Sequence, residues 1–254
     1  MISIAEKVVE FVMHEEAASS FYKDYYGTVG LSFESLPLLS REMLVKTPFR
    51  ERIFRHGQLG VRLGKTPYGP LLFARKDLDI RDEPLHVSGS RPLVMFQSTG
   101  EHLMWGTWCK ERYLLPLMSE ESTRLTKNSA QIYETDTLIT DTASLHTHGN
   151  DVSKVCSKTV KEVLVVEELQ NMKPALEALF PSASFAYYAV LPETGIIGSK
   201  GERENVWSVP NTIFAEKVNG RLVVTTLIPM PTPLIRYDTE IAIGDFTGET
   251  FVTA

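Results

Sequence analysis

The sequence predicts an α/β fold, a layered mixed α/β body followed by an antiparallel β segment. Three observations predict it. Short apolar runs alternate with helical stretches through the middle of the chain, and after Pro181 the texture becomes all strand. Asn219-Gly220 then stands between two β-rich runs, where both residues must accept the positive φ of a tight hairpin turn. The division falls at 1–183, a helical opening plus the α/β body, and 184–254, the β-rich segment, with the two read as one continuous compact unit.

The elements follow in order. Residues 2–25 repeat apolar positions at helical spacing (Ile4, Val8, Val9, Phe11, Val12), and Ser40 is placed to cap a short helix through Met43 and Leu44. From Val61 the runs "GPLLFA" and "PLVMFQ" read as strands, followed by a helix from Trp105 to Met118. "DTLIT" and "KEVLVVEE" are further strands, and "NMKPALEALF" is helical. The last part contributes the strands "SFAYYAV", "TIFAEKV", "RLVVTTLI" and "PLIRY", with "PMPTP" as a stiff link before the final one.

Composition bounds the function. With 254 residues, 43% of them apolar and 23% charged, the chain can bury a sizeable core without disulfides. The net charge is −6 and the basic residues are scattered, so the clustered positive face that grips nucleic acid is missing. No apolar run reaches the roughly 20 residues of a membrane helix. The opening "MISIAEKVVEFVMHEEAASS" carries acids within its apolar pattern and no basic leader, so a cytoplasmic location is expected. Cys109 and Cys156 lack zinc-ligand spacing and read as buried thiols.

Several local motifs bear on chemistry. "GQLGVRLGKT" fails as a phosphate loop because Leu59 stands where the first glycine is required. Gly64, Lys65 and Thr66, followed by "PYGP", nonetheless form a cationic, hydroxyl-bearing turn before a strand, able to wrap N–H groups around phosphate oxygens. His146 and His148 would share one face of a strand, but beyond Asp151 no third metal ligand is evident. No "GxSxG" occurs. Glu193, in "YYAVLPETGIIG", follows a β-rich aromatic run and precedes a glycine turn, so its carboxylate projects from a strand end, where ligand sites in α/β folds gather.

"SFAYYAVLPETGIIG" and "ENVWSVPNTIFAEKVNGRLVVTTLIPMPTPLIRYDTE" resemble, in order and spacing, the AMP-forming acyl- and aryl-coenzyme A ligases, most closely the phenylacetate-coenzyme A ligase branch. "FESLPLLSREMLVKTPF" and "VLVVEELQNMKPALEALFP" are collinear with further segments of that family. The resemblance implies the fold of the N-terminal domain of adenylate-forming enzymes. It also implies ATP- and Mg²⁺-dependent activation of a small carboxylic acid, with transfer to the thiol of coenzyme A or a carrier protein. Tyr188 would stack on adenine, Glu193 would ligate Mg²⁺ and act in catalysis, Asp238 or Glu240 would bind the ribose hydroxyls, and Arg236 would sit beside them. Gly64 and Thr66 would line the phosphates with Lys65 supplying charge, and His102 would gate the acyl pocket beside Trp105.

The sequence also departs from that family. "RLGKTPYGP" stands for a loop rich in serine, threonine and glycine; "YDTEI" replaces "YRTGD"; and Pro192 precedes the glutamate in place of serine or threonine. The resembled enzymes carry a further C-terminal lid domain, expected to be missing here or supplied by another chain. The alternative expectation is a non-catalytic descendant that binds an acyl or nucleotide ligand or a partner subunit.

Overall fold

A computed structural model describes residues 20–26, 33–53, 61–66, 68–74, 87–95, 115–117, 127–128, 130–169, 177–191, 193–201, 205–227 and 232–254. They fall into two compact units, one of Met1–Leu78, Pro192–Gly195 and Asn205–Ala254, the other of Asp79–Leu191 and Ile196–Glu204. Among the described residues no helix is long and apolar enough to cross a membrane.

Burial on both faces decides the second unit. Strands β4 (Pro92–Met95), β5 (Leu115–Leu117), β6 (Thr137–Thr140), β7 (Glu162–Glu167) and β8 (Ser184–Leu191) pair in parallel in the order β5-β4-β6-β7-β8, with β9 (Gly195–Gly201) beside β8. Parallel strands carry side chains into a core on either face, which is why "VLVV" and "PLVM" are unbroken apolar runs. The helix Thr142–Cys156 lies between β6 and β7 in the chain, and the Asp141 carboxylate starts it by accepting from the Ser144 N–H at 2.5 Å. A crossover between parallel strands needs such a helix, and so His146 and His148 are helical and not on a strand. Two apart on a helix they do not share a face.

Two further expectations change here. Residues 115–117, expected at the end of a helix from Trp105, form the edge strand beside β4, while Trp105–Leu114 lie outside the described residues. β8, expected in the antiparallel segment, joins the parallel sheet instead, with its backbone register to β7 running from Glu162↔Ser184 to Glu167↔Ala189. Glu177–Leu179 is a 3₁₀ turn, and residues 171–176 of the expected "NMKPALEALF" helix lie outside the described residues.

The first unit is built on the antiparallel order β11 (Ile213–Val218), β12 (Arg221–Thr226), β13 (Tyr237–Phe246), β14 (Thr250–Thr253), β10 (Trp207–Ser208). Asn219 and Gly220 turn β11 into β12 with φ of 50° and 76°, as their dipeptide signal predicts. The short β1 (Leu39–Ser40) pairs in parallel with β13, and Ser40 caps the helix Arg41–Lys46, its Oγ accepting from the Met43 N–H at 3.2 Å. β2 (Val61–Thr66) and β3 (Gly69–Ala74) form a separate hairpin. Gly64, Lys65 and Thr66, expected in a turn, therefore lie at the end of a strand.

"PLIRY" is only partly a strand: β13 begins at Tyr237, and Pro233–Arg236 approach it irregularly. The Leu234 and Arg236 carbonyls accept from the N–H groups of Thr226 at 2.9 Å and Leu39 at 3.0 Å, and side chains satisfy the rest of this backbone. Tyr22 Oη donates to the Pro233 carbonyl at 2.5 Å and Tyr26 Oη to the Ile235 carbonyl at 2.7 Å. Thr226 Oγ1 accepts from the Leu234 N–H at 3.1 Å and Thr225 Oγ1 from the Arg236 N–H at 2.9 Å. The helix Ser20–Tyr26 thus docks through its tyrosines, which form a buried cluster with Phe33, Leu36 and Ile235.

Candidate functional site

Three side chains far apart in sequence meet inside the first unit. Ser40 and Asp238 are register partners, as are Leu39 and Tyr237, so Arg41, the residue after β1, is delivered beside the Tyr237 ring. Glu193, in the turn between β8 and β9, completes the group. Arg41 Nε donates to Glu193 Oε1 at 2.5 Å and to Tyr237 Oη at 3.1 Å, and Tyr237 Oη donates to the same Glu193 oxygen. The arginine and glutamate side chains are each only 1% exposed.

Burial works against the charged form of Arg41, but the Glu193 carboxylate and Tyr237 outweigh it and raise the guanidinium's pKa. For Tyr237, burial first and the Glu193 charge second hold the phenol well above its ordinary value, so it stays a donor. Glu193 Oε2 and Arg41 Nη2 are buried without a hydrogen-bond partner among the described residues.

The residues expected to contact the ribose are on a bulge. Between Arg221 and Val223 on β12 the partner on β13 moves from Ala242 to Asp238, so extra residues of β13 are pushed out of the ladder. Glu240 there takes a φ of 63° and its N–H donates to Asp238 Oδ1 at 2.8 Å. The other Asp238 oxygen meets Arg221 Nη1 at 3.2 Å, and Glu240 Oε1 accepts from the exposed Tyr68 hydroxyl. That bond, ahead of burial, raises the Tyr68 pKa.

Arg236, with φ 48°, is a clamp. Its Nε meets Glu216 Oε2 at 3.2 Å, its Nη1 donates to the carbonyls of Glu34 and Leu36, the latter at 2.6 Å, and its guanidinium lies 6.0 Å from the Phe33 ring centroid. Burial raises the Glu216 pKa while Arg236 opposes it.

Of the predicted residues, Glu193, Arg236, Asp238 and Glu240 share this unit, and Gly64, Lys65 and Thr66 belong to it through β2. Tyr188 belongs to the other unit, buried in β8, and His102 lies outside the described residues. Arg41 and Tyr237 were not singled out by the sequence. Their only signal is that "LLSREM" and "LIRY" each put a polar residue beside an apolar run.

The residues do not fit the Mg²⁺ that the resemblance places at Glu193. Mg²⁺ takes open oxygen ligands in near-octahedral array, and Glu193 Oε1 already holds a guanidinium and a hydroxyl in a site closed to solvent. Among the described residues no group of three or more His, Cys, Asp or Glu could hold a metal ion.

No family model matches the chain, and no curated protein matches it in sequence. Solved structures do match. One is 2-hydroxyisobutyryl-CoA ligase in the postadenylation state with 2-HIB-AMP, at 12% identity and a TM-score of 0.74 over 99% of this chain and 65% of that one. An open conformation of that ligase with 2-HIB-AMP and CoA gives 11% and 0.76 over 99% and 72%. O-succinylbenzoate coenzyme A synthetase from Bacillus subtilis gives 10% and 0.54 over 76% and 48%. The chain therefore spans 65% of the first ligase's length. What is shared at these identities is the fold, the mixed α/β fold of the N-terminal domain of adenylate-forming enzymes.

Proposed function

We propose that this chain serves AMP-forming activation of a carboxylic acid, aryl or acyl, as in the phenylacetate-coenzyme A ligase-like branch it resembles. A carboxylate oxygen attacks the α-phosphorus of ATP, the bond to the departing pyrophosphate breaks, and an acyl adenylate forms. A thiolate of coenzyme A or a carrier protein then takes the acyl group and releases AMP. The observation that carries this reading is the match across 99% of the chain to a ligase structure holding an acyl adenylate. "RLVVTTL" and "LIRY" support the finer branch.

Within the chain, Arg41 and Arg236 are held buried, each paired with a glutamate, Glu193 and Glu216. Tyr188 would face the adenine, Asp238 or Glu240 the ribose, and Gly64, Lys65, Thr66 and His102 the phosphates and acyl group. The test is pyrophosphate exchange into ATP against a panel of aryl and fatty acids, read together with thermal midpoints in ATP. Acid-dependent exchange is the expected result.

A second reading, a non-catalytic ligand-binding descendant, is favoured by one observation. Glu193, Asp238 and Glu240 are each engaged by a partner within the chain. It predicts a nucleotide- or acyl-dependent rise in thermal midpoint with no exchange for any acid; a ligand at a hundredfold its Kd stabilises by about 2.7 kcal/mol.

A further inference from the structure

We infer that Arg41, and not a metal ion, is the cation of the Glu193 site. Glu193 Oε1 accepts from Arg41 Nε at 2.5 Å and from Tyr237 Oη, and Arg41 Nε also reaches Tyr237 Oη at 3.1 Å, so the three groups form a closed triangle of hydrogen bonds. Both charged side chains are removed from solvent, and taking either away strands the other. A divalent ion approaching the remaining Oε2 would meet the guanidinium charge held on the other oxygen of the same carboxylate, in surroundings that screen little. It would also have to be stripped of water, which Mg²⁺ resists.

The backbone fixes where Arg41 stands. Arg41 follows β1, whose register with β13 seats Leu39 opposite Tyr237, and it begins the helix capped by Ser40. The side chain starts from the strand-to-helix junction and is held at its far end by Glu193 and Tyr237, buried from solvent. Arg41 Nη2 is a buried donor and Glu193 Oε2 a buried acceptor, each without a partner among the described residues, and a bare cation could satisfy only the acceptor.

This inference concerns the triangle alone and holds whether or not the chain adenylates an acid. Its test contains no nucleotide, so it fails or succeeds separately from the reading above. The full chain is titrated with Mn²⁺, standing for Mg²⁺, and free ion is followed by electron paramagnetic resonance. Wild type, Glu193→Gln, Arg41→Lys and the paired Arg41→Gln/Glu193→Gln variant are expected to give superimposable curves. Arg41→Gln, which leaves the buried carboxylate without its cation, is expected to lower the thermal midpoint, and the paired variant to restore it, with no dependence on the ion in either. A saturable Mn²⁺ site in wild type that disappears in Glu193→Gln would overturn the inference. If that variant does not fold, the paired variant, which buries no unbalanced charge, decides in its place. An Arg41→Gln protein as stable as wild type also counts against it.

Discussion

The two units solve burial in opposite ways. In the parallel-sheet unit the strand interiors are apolar, with Leu93, Val94, Leu138, Ile139 and Val163 to Val166 buried, and acids such as Asp136 and Asp141 stand at element ends where backbone N–H groups meet them. In the antiparallel unit charge is drawn inside: Arg41 and Arg236 are both buried, with glutamates and tyrosine hydroxyls for partners. A buried charge pair is a poor source of net stability compared with hydrophobic residues of the same volume. Among the described residues, buried ion pairs of this kind occur in the antiparallel unit and not in the other.

The comparison breaks most directly at the triangle. Glu193→Ala strands a buried guanidinium and is expected to cost about 3–5 kcal/mol in urea denaturation. Replacing both charges, Arg41→Met with Glu193→Leu, is expected to be neutral or stabilising by about 1–4 kcal/mol. In the apolar unit no such rescue exists, since Leu164→Ala in β7 removes packing outright, at about 2–5 kcal/mol. A double replacement costing as much as Glu193→Ala alone would show that the pair contributes to stability after all.

Asp136 sharpens the contrast from the other side. Its carboxylate accepts from the N–H groups of Ser90 at 3.1 Å and Arg91 at 3.0 Å, and a Cβ added at Gly89 would meet its Oδ1 at 2.3 Å. Partial burial alone would raise its pKa, but the Arg91 and Ser90 donors prevail and hold it below the usual value. The folded pKa is thus depressed. Its stabilising contribution is full above the ordinary carboxylate range and is lost as pH falls through the folded value. Asp136→Ala is expected to cost about 1–3 kcal/mol at neutral pH. The variant should also show a flatter acid limb when denaturant midpoints are measured between neutral and strongly acidic pH. Parallel acid limbs would place the acid sensitivity elsewhere.

A smaller effect is expected at Glu240. This residue carries a left-handed φ of 63° on the β13 bulge, which an L side chain adopts at a cost and glycine does not. Glu240→Gly relieves that strain, gives up the Tyr68 contact at the surface, and loosens the unfolded chain. The net change is expected within about 1 kcal/mol of zero. A loss well beyond that in urea would show that the Tyr68–Glu240 bond, and not the bulge, fixes this edge.

What could be read from sequence follows from how local each cause is. Asn219-Gly220 announces its turn because the requirement is a φ at two adjacent residues, and Ser40 announces a cap whose partner lies three residues on. The strand β7 is legible as "VLVV" because a doubly covered strand needs nothing else. Arg41 is not, since its partners are 152 and 196 residues away. "PLIR" reads as strand by content, but a regular ladder does not form: distant tyrosine and threonine side chains take the Pro233 and Ile235 carbonyls and the Leu234 and Arg236 N–H groups, and among the described residues only the Leu234 and Arg236 carbonyls meet backbone N–H groups, of Thr226 and Leu39. The assignment of β8 to an antiparallel segment fails for a related reason. An aromatic-rich run does not say whether its neighbour is parallel.

The smallest expected effect, at Cys156, tests whether the apolar unit is as closed as its composition implies. The thiol ends the helix Thr142–Cys156, is 1% exposed, and donates to the Val152 carbonyl at 3.1 Å. Burial pushes it up to about 11. Because the folded value lies above the unfolded one, its contribution to stability is full below the ordinary thiol range and fades as pH rises through the folded value. Reactivity belongs to the thiolate, so the native thiol is doubly protected, by protonation and by access. In a Cys109→Ser background, Cys156 is expected to resist iodoacetamide at pH 8 and to react on adding denaturant. The labelling rate then reports opening of this unit alone. Comparing that rate in the Glu193→Ala and Asp136→Ala proteins separates the two units energetically. Only Asp136→Ala, within the same unit, is expected to accelerate labelling in the absence of denaturant, and equal acceleration by both would mean that the two units open together.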